Sequence, residues 1–413
     1  MTNKTNNKNH SISNFFLCFI AGLFLFYIFI QMTLLSSLGI YFSHKFHLSG
    51  AQAGNLSASF FYGNILLQIP SGFIVDRFSH RKLLLISGAV FILFAFMLAL
   101  TNNFSVLIIS RFIMGTASAV SFLAVIKTVV DWTPPAKLGT MLGLVITQGM
   151  CGGIIQTPFS IFYVLYGGET TLLINAYIAC AILFLGFIFI KEKIYTEAIP
   201  KINFKEAFID IAHRGTFLPA IYIFIMDILP IVFGAMWGTL FLQAIYKLNL
   251  VHASIIVSFI FIGKIPGSFL IGYLSDKFKT RKGIMLICAI FSTLNITIII
   301  YVTLPIMALY FLFFTAGLFS SGISAAFTII SESNKKNIGL ANAVTSTVVM
   351  STGVLLPILG ILLDYFSPLV HGHLIHTASA YKTTMIFIPI LFSLSIALNF
   401  FLRDNFEKIK RQE

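Results

Sequence analysis

The chain has 413 residues, 58% of them hydrophobic and 10% charged, with a mean hydropathy of +0.94 and 45 Phe. Soluble domains carry roughly a quarter charged residues, so a soluble fold is excluded, and many apolar runs of helical length exclude a barrel, whose strands are short and alternating. The net charge of +13 does not point to nucleic acid, because the basic residues sit in short pieces between apolar runs and form no concentrated face.

The polar start MTNKTNNKNH leads into an apolar run from Phe15 almost to Ser43. That run is longer than a signal peptide's apolar core and lacks a convincing cleavage pattern, so it reads as an uncleaved first span. Apolar windows of about twenty residues, bounded by Gly, Pro, Asn and charge, place the first set of spans at 15–43, 51–75, 83–100, 104–128, 138–164 and 171–190. A second set falls at 216–245, 253–275, 283–303, 305–330, 337–365 and 379–402. Between the sets lies KEKIYTEAIPKINFKEAFIDIAHRG, the most charged segment of the chain. The expected organisation is an N-terminal tail 1–14, a six-helix bundle 15–190, a linker 191–215, a second six-helix bundle 216–402 and a C-terminal tail 403–413. Cys18, Cys151, Cys180 and Cys288 all fall inside apolar runs without CxxC spacing and read as core thiols.

Orientation follows from Lys and Arg. With both termini cytoplasmic, 22 of the 27 basic residues lie in or beside cytoplasmic segments, all but Lys45, Arg111, Lys247, Lys264 and Lys382. The chain also repeats itself. GFIVDRFSHRK, Gly72 to Lys82, returns 200 positions later as GYLSDKFKTRK, Gly272 to Lys282, each copy joining the second and third span of its set on the cytoplasmic side. At the same offset Gly63 and Asn64 match Gly263 and Lys264, Gly139 matches Gly339 and Gly153 matches Gly353, while Pro158 and Pro357 miss by one. Two homologous bundles with parallel topology are implied, an arrangement that encloses a midplane site and alternates its access by rocking.

The doubled turn, Gly, three residues, Asp, Arg or Lys, three residues, Arg, Lys, together with RFIMGTASA in span four, resembles the major facilitator superfamily over the whole chain. The resemblance implies an all-α integral membrane fold of twelve transmembrane helices in two homologous six-helix bundles. Within it, AQAGNLSASFFYGNILLQIPSGFIVDRFSHRKLL and DWTPPAKLGTMLGLVITQGMCGGIIQTP resemble the bacterial phagosomal nutrient transporters, whose members import amino acids or nucleosides. The superfamily's antiporter signature, a Gly-Pro pair followed by a Gly pair in span five, is not matched by GMCGGIIQTP, which counts against drug-proton antiport without excluding export.

The turns are candidate gates. Gly72 and Gly272 would let helices approach closely, Asp76 and Asp276 could meet the positive end of a neighbouring helix, and Arg77, Arg81, Lys277 and Arg281 could pair with acidic groups across the cytoplasmic seam. A bare topology signal accounts for the basic residues but not for the repeated Gly and Asp. Arg111 lies about 10 Å below the outer end of span four at helical rise; a buried arginine there faces a water-filled cavity or a partner, to bind a substrate carboxylate, to couple protons, or to hydrogen-bond between helices. The matching RFIMG, through the resemblance, favours the first two. Asp227 and Lys264 each lie about eleven residues into their spans from opposite faces, roughly 16 Å, so both sit near the midplane. They form either a coupling site, in which protonating the carboxylate releases the lysine, or a static pair. Asn64, with Gln68 one turn on, offers neutral polar groups from the other half. Gln148, Gln156, Trp237 and Gln243 suit a small zwitterion or carboxylate, and equally suit helix-to-helix bonds.

His371, His373 and His376 in HGHLIH could bind zinc, but no carboxylate or cysteine follows in that loop and a solvated loop is expected. No nucleophile triad, phosphate-cradling loop or dinucleotide fingerprint appears, and no GxxxxGK[ST] supports a primary pump. The expectation is a non-enzymatic secondary importer of a small polar nutrient, an amino acid, driven by protons across a bacterial inner membrane. It would be a monomer in the lipid bilayer, with no cofactor, no metal and no nucleic-acid partner. The rivals are an exporter of a siderophore or drug, and a transport-dead sensor, which calls for an added soluble domain or long tail that the sequence does not offer.

Overall fold

A computed structural model of the chain describes residues 2–134, 137–192, 214–334, 338–370 and 373–402. The tail 403–413, His371 and most of the expected linker 191–215 lie outside them. Among the described residues twelve helices are long and apolar enough to cross a membrane. We number them α1 (Asn14–Phe46), α2 (Gly50–Arg77), α3 (His80–Leu100), α4 (Phe104–Trp132), α5 (Leu138–Tyr166), α6 (Gly168–Phe189), α7 (Gly215–Tyr246), α8 (Leu250–Lys277), α9 (Arg281–Tyr301), α10 (Ile306–Ser333), α11 (Ala343–Phe366) and α12 (Ala378–Phe401). The helix of α1 continues back through the polar start to Thr2. A short antiparallel pair, β1 (Leu369–Val370) and β2 (His373–Leu374), follows α11. Large apolar side chains such as Leu66, Phe184 and Phe311, each at least 60% exposed, need no partner in a chain whose surroundings are hydrocarbon.

Local chemistry fixes where helices begin and bend. Ser49 accepts from the Gln52 N–H while the Gln52 side chain accepts from the Ser49 N–H, a reciprocal cap at the start of α2. The Asn249 side chain caps α8 through His252, and Thr280 caps α9 through Gly283. Prolines break the three helices that matter most for the centre of the molecule. Pro158, lacking an N–H for the carbonyl four residues back, interrupts α5 at Ile155. Pro357 does the same in α11, where Thr352–Val354 tightens into a 3-10 turn. Pro230 leaves α7 to widen into a π-helix over Leu229–Trp237, immediately after Asp227, and such segments often mark functional positions.

The two halves repeat one crossing. A Cβ on Gly63 would collide with the Phe112 carbonyl and one on Gly115 with the Phe60 carbonyl, so α2 and α4 touch backbone to backbone. Gly263 and Gly317 do the same against Phe314 and Ile260, bringing α8 onto α10. The matched Gly63 and Gly263 are thus crossing residues, and each fixes the position of the polar residue that follows it.

Candidate functional site

Asn64 and Lys264, the residues after those crossing glycines, meet at a cavity between the halves. This central cavity, about 170 Å³, is lined by Asn64 and Gln68 from α2, Asp227 from α7 and Lys264 from α8, with Ser346 of α11. Apolar walls, Phe29, Met150, Phe261 and Met350 among them, enclose these few polar groups. The Lys264 ammonium donates to Asp227 Oδ1 at 2.6 Å, and both side chains are almost wholly buried. The pair sits where α7 leaves α-helical geometry, at a carboxylate held by the last regular turn and a lysine held by the α8–α10 crossing. Across the cavity the Asn64 amide nitrogen donates to Ser118 Oγ at 2.7 Å. Its oxygen, Oδ1, is buried with no hydrogen-bond partner among the described residues. The cavity therefore offers an anion, a cation and a free acceptor in an apolar shell.

The basic turns lie at one face of the bundle, and the halves are joined toward the opposite, far face. Phe61 of α2 packs on Gly353 of α11, and Phe261 of α8 packs on Gly153 of α5, so that a Cβ on either glycine would meet the ring. Farther out, Ser36 of α1 and Thr239 of α7 share a hydrogen bond of 2.6 Å, and Thr157 and Ser258 share one of 2.9 Å. The closest seam is α2 against α11. A Cβ on Gly54 would stand 2.6 Å from the Leu356 carbonyl, and one on Gly360 would strike the Gly50 carbonyl. At its end Asp364 accepts from the Gly50 N–H at 2.8 Å and the Ala51 N–H at 2.9 Å. A second cavity of about 840 Å³, lined by His44, His47, Trp237, His376 and Tyr381, opens beside this seam.

The remaining sequence candidates are dispersed. Arg111 is wholly buried, donating to the Gln31 carbonyl at 2.7 Å and the Ser57 carbonyl at 3.5 Å, its guanidinium 4.9 Å from the Phe60 ring centre. It joins α4 to α1 and α2 and is not in the wall of the central cavity. Gln148 donates to the Phe19 carbonyl of α1 at 3.1 Å. Gln156 is buried, its own carbonyl accepting from Ser37 and Ser160 while its side-chain amide has no partner among the described residues. Trp237 donates to the Leu356 carbonyl at 3.1 Å within the second half, and Gln243 is half-buried toward the far end of α7.

The turns depart from expectation in this structure. Among the described residues no heavy atom stands within 4 Å of where a Cβ on Gly72 or Gly272 would lie, so neither marks a close helix approach there. Close approaches are made instead at Gly50, Gly54, Gly63, Gly115, Gly152, Gly263, Gly317 and Gly360, among others. Among the described residues Asp76 meets no helix N-terminus; it lies 3.5 Å from the Lys127 ammonium of α4. Arg77 is exposed, and Arg81 donates to the Phe187 carbonyl of α6, inside its own half. In the second copy Arg281 bridges Asp276 at 2.6 Å and Glu332 at 3.0 Å, again inside one half, and Lys277 stands over Tyr273. The helix-terminus contact foreseen for Asp76 is made by Asp364 at the opposite face. His376 also departs from a solvated loop: its Nε2 lies 3.5 Å from Asp364 Oδ1. Burial holds this imidazole below its ordinary range, with Asp364 pulling the other way. Asp364 ends a predicted span, where a carboxylate reads as mere flank, yet the Gly50-x-x-x-Gly54 spacing was a usable signal for the seam.

The family model described as Major Facilitator Superfamily matches residues 17–256 and 220–412. A probable anion transporter 7 of Oryza sativa subsp. japonica is 27% identical over 158 residues, 37% of this chain and 35% of that protein. The D-xylose transporter of Levilactobacillus brevis is 32% identical over 157 residues, 37% of this chain and 34% of the other. These matches span about a third of the relatives' own lengths. Among solved structures, a bacterial homolog of the human lysosomal transporter Spinster, inward-facing and unoccupied, superposes with a TM-score of 0.76 at 15% identity, covering 94% of this chain and 96% of that one. This likeness carries the fold alone. Across nearly its whole length, with twelve spanning helices in two repeated halves around a shared cavity, the chain belongs to the major facilitator superfamily.

Proposed function

We propose that the protein imports a small amino acid together with protons, and that Asp227 and Lys264 form its coupling site. The observation that carries this reading is the buried Asp227–Lys264 pair in the wall of an inter-half cavity, opposite an Asn64 oxygen without a partner. Charges at that depth need each other, a cargo or a proton. A proton on Asp227 frees the ammonium of Lys264 for the cargo's carboxylate, and the oxygens of Asn64 and Gln68 accept from the cargo's ammonium. The apolar walls meet the rest of the solute.

The excess of Lys and Arg at the basic-turn face puts that face, both termini and the linker in the cytoplasm of a bacterial inner membrane. Two bundles, at 15–190 and 216–402, then rock about the cavity as a monomer. With the far face joined and Gly72 and Gly272 in open space, the state is inward-facing. Arg111 acts by holding α4 to α1 and α2, and the charges of both turns tie each half together at the cytoplasmic face, Asp76 through Lys127 and Arg281 through Asp276 and Glu332.

A second reading, import of an organic anion, is favoured by the relative described as an anion transporter. It uses Lys264 in the same way and needs no ammonium acceptor. Binding of an amino acid and of its deaminated carboxylate to the purified protein separates the two. Preference for the amino acid, lost in Asn64→Ala, is the expected result, and equal binding of both solutes transfers the site to anions. Proton-driven uptake in liposomes tests coupling: Asp227→Asn should lose uphill accumulation and keep exchange. Uphill accumulation by a variant with both Asp227→Asn and Lys264→Gln would overturn coupling at Asp227.

A further inference from the structure

The far-face seam joins two helices that start and end in opposite senses. The positive N-terminal end of α2 meets the closing turn of α11, and the carboxylate of Asp364 lies on it. Both oxygens are used: Oδ1 takes the Gly50 N–H at 2.8 Å and Oδ2 takes the Ala51 N–H at 2.9 Å. These donors are among the first amides of α2, which have no acceptor within their own helix. Ser49 and Gln52 cap one another beside them and leave these two amides to the other half. A fixed anion on a helix N-terminus gains from the aligned peptide dipoles, and charge-assisted hydrogen bonds are the strong ones. Gly360 against the Gly50 carbonyl and Gly54 against Leu356 and Pro357 bring the two backbones close enough for the contact, since any side chain there would hold them apart. The wide cavity lined by Ser49, Gly50 and His376 borders the same point.

We propose that Asp364 is a charge latch that holds the far entrance of the transporter shut by clasping the N-terminus of α2, and that its release is the event that opens the site on that side. The contact exists only when the halves meet at this face, because its two sides belong to different halves. Rocking that separates α2 from α11 leaves Asp364 to water and the α2 amides to water, so the latch biases the resting protein toward the far-closed state. His376, 3.5 Å from Oδ1, is the titratable side chain nearest the latch among the described residues; His44 and His47 at the end of α1 and Tyr381 at the start of α12 face the adjoining cavity, and Lys45 is tied to Glu169. The latch concerns opening and not the cargo, so it stands apart from the reading of the central cavity as an amino-acid site.

The experiment reads opening directly. Ala58, fully buried, shares the α2 face of Gly54 and Phe61 at helical spacing and lies behind the latch. Ala58→Cys is placed in a chain whose Cys18, Cys151, Cys180 and Cys288 have been replaced, and a membrane-impermeant maleimide is added outside intact cells. Asp364→Asn, which keeps the shape and one acceptor but loses the charge, should raise the labelling rate several-fold, and Asp364→Ala should raise it more, each at normal yield on size exclusion. Asp364→Glu should stay between the parent and Asp364→Asn. Labelling of Asp364→Asn at the parent's rate, with folded protein in equal amount, would overturn the proposal. If Asp364→Ala fails to fold, the isosteric Asp364→Asn alone decides.

Discussion

Of the seams that join the halves toward the far face, two correspond under the 200-residue repeat: α2 against α11, and α8 against α5. Near the cavity they match, Phe61 on Gly353 in one and Phe261 on Gly153 in the other. Farther out they diverge. The first seam carries Gly50, Gly54, Gly360 and Asp364, while the corresponding positions of the second hold Leu250, Ser254, Ser160 and Val164. One seam is therefore a backbone-close crossing ended by a charge on a helix terminus. The other is joined by a neutral hydrogen bond between Thr157 and Ser258. Hydrogen bonds to a charged group contribute about 1.5–3 kcal/mol and neutral ones about 1 kcal/mol, so of these two seams the first costs more to separate. The repeat is thus symmetric beside the cavity and asymmetric at its rim.

The floor of the seams is also unequal, and there the largest effect is expected. Gly63–Asn64 and Gly263–Lys264 are equivalents, but Asn64 bonds a hydroxyl and Lys264 a buried carboxylate. Lys264→Gln leaves Asp227 an unpaired buried charge and should cost roughly 3–5 kcal/mol, against about 1 kcal/mol for Asn64→Ala. Midpoints of unfolding in detergent measure both, and equal losses would erase the distinction between the halves.

Next in size is Gly54→Leu. Its side chain has nowhere to go beside Leu356 and Pro357, and overpacking of this kind costs about 1–3 kcal/mol in the closed arrangement. Initial uptake should fall tenfold or more while size exclusion shows a folded protein. Gly72→Leu, in open space, should leave folded yield unchanged. The smallest effect belongs to the second seam: Thr157→Val removes the bond to Ser258, worth about 1 kcal/mol, and should change initial uptake less than threefold. A Thr157→Val loss as great as that of Gly54→Leu would break the inequality between the seams.

Much of this architecture was legible in the sequence because hydrocarbon permits few solutions. Each of the twelve spans was foreseen within six residues at either end, since length, apolarity and the charge breaks leave little freedom. Counting helical rise puts Asp227 and Lys264 at matching heights, and the two pair; the repeat points to Asn64 and helical spacing to Gln68 one turn on, and both line the same cavity. Arg111 shows what counting misses: its acceptors are main-chain carbonyls of Gln31 and Ser57, which every residue possesses and no motif announces. Gln148 on the Phe19 carbonyl is the same case. Gly72 misled because a glycine reads as a close approach whether or not the approach is made in a given state. Asp364 was overlooked because its partners are two amides at the start of a helix 313 and 314 positions earlier, a contact that only the folded arrangement brings together.

The inequality of the seams is tested most directly by distance. His47 and Lys247, equivalent left-handed residues of exposed far-face loops, and Phe78 and Phe278, exposed in the two basic turns, provide one spin-label pair at each face in a cysteine-free background. Distances by pulsed electron resonance are then compared for the parent, Gly54→Ala and Thr157→Val. Gly54→Ala should shift the population toward a longer separation at 47–247 and a shorter one at 78–278, with Thr157→Val close to the parent. Equal shifts in the two variants, or no shift in Gly54→Ala, would contradict the account.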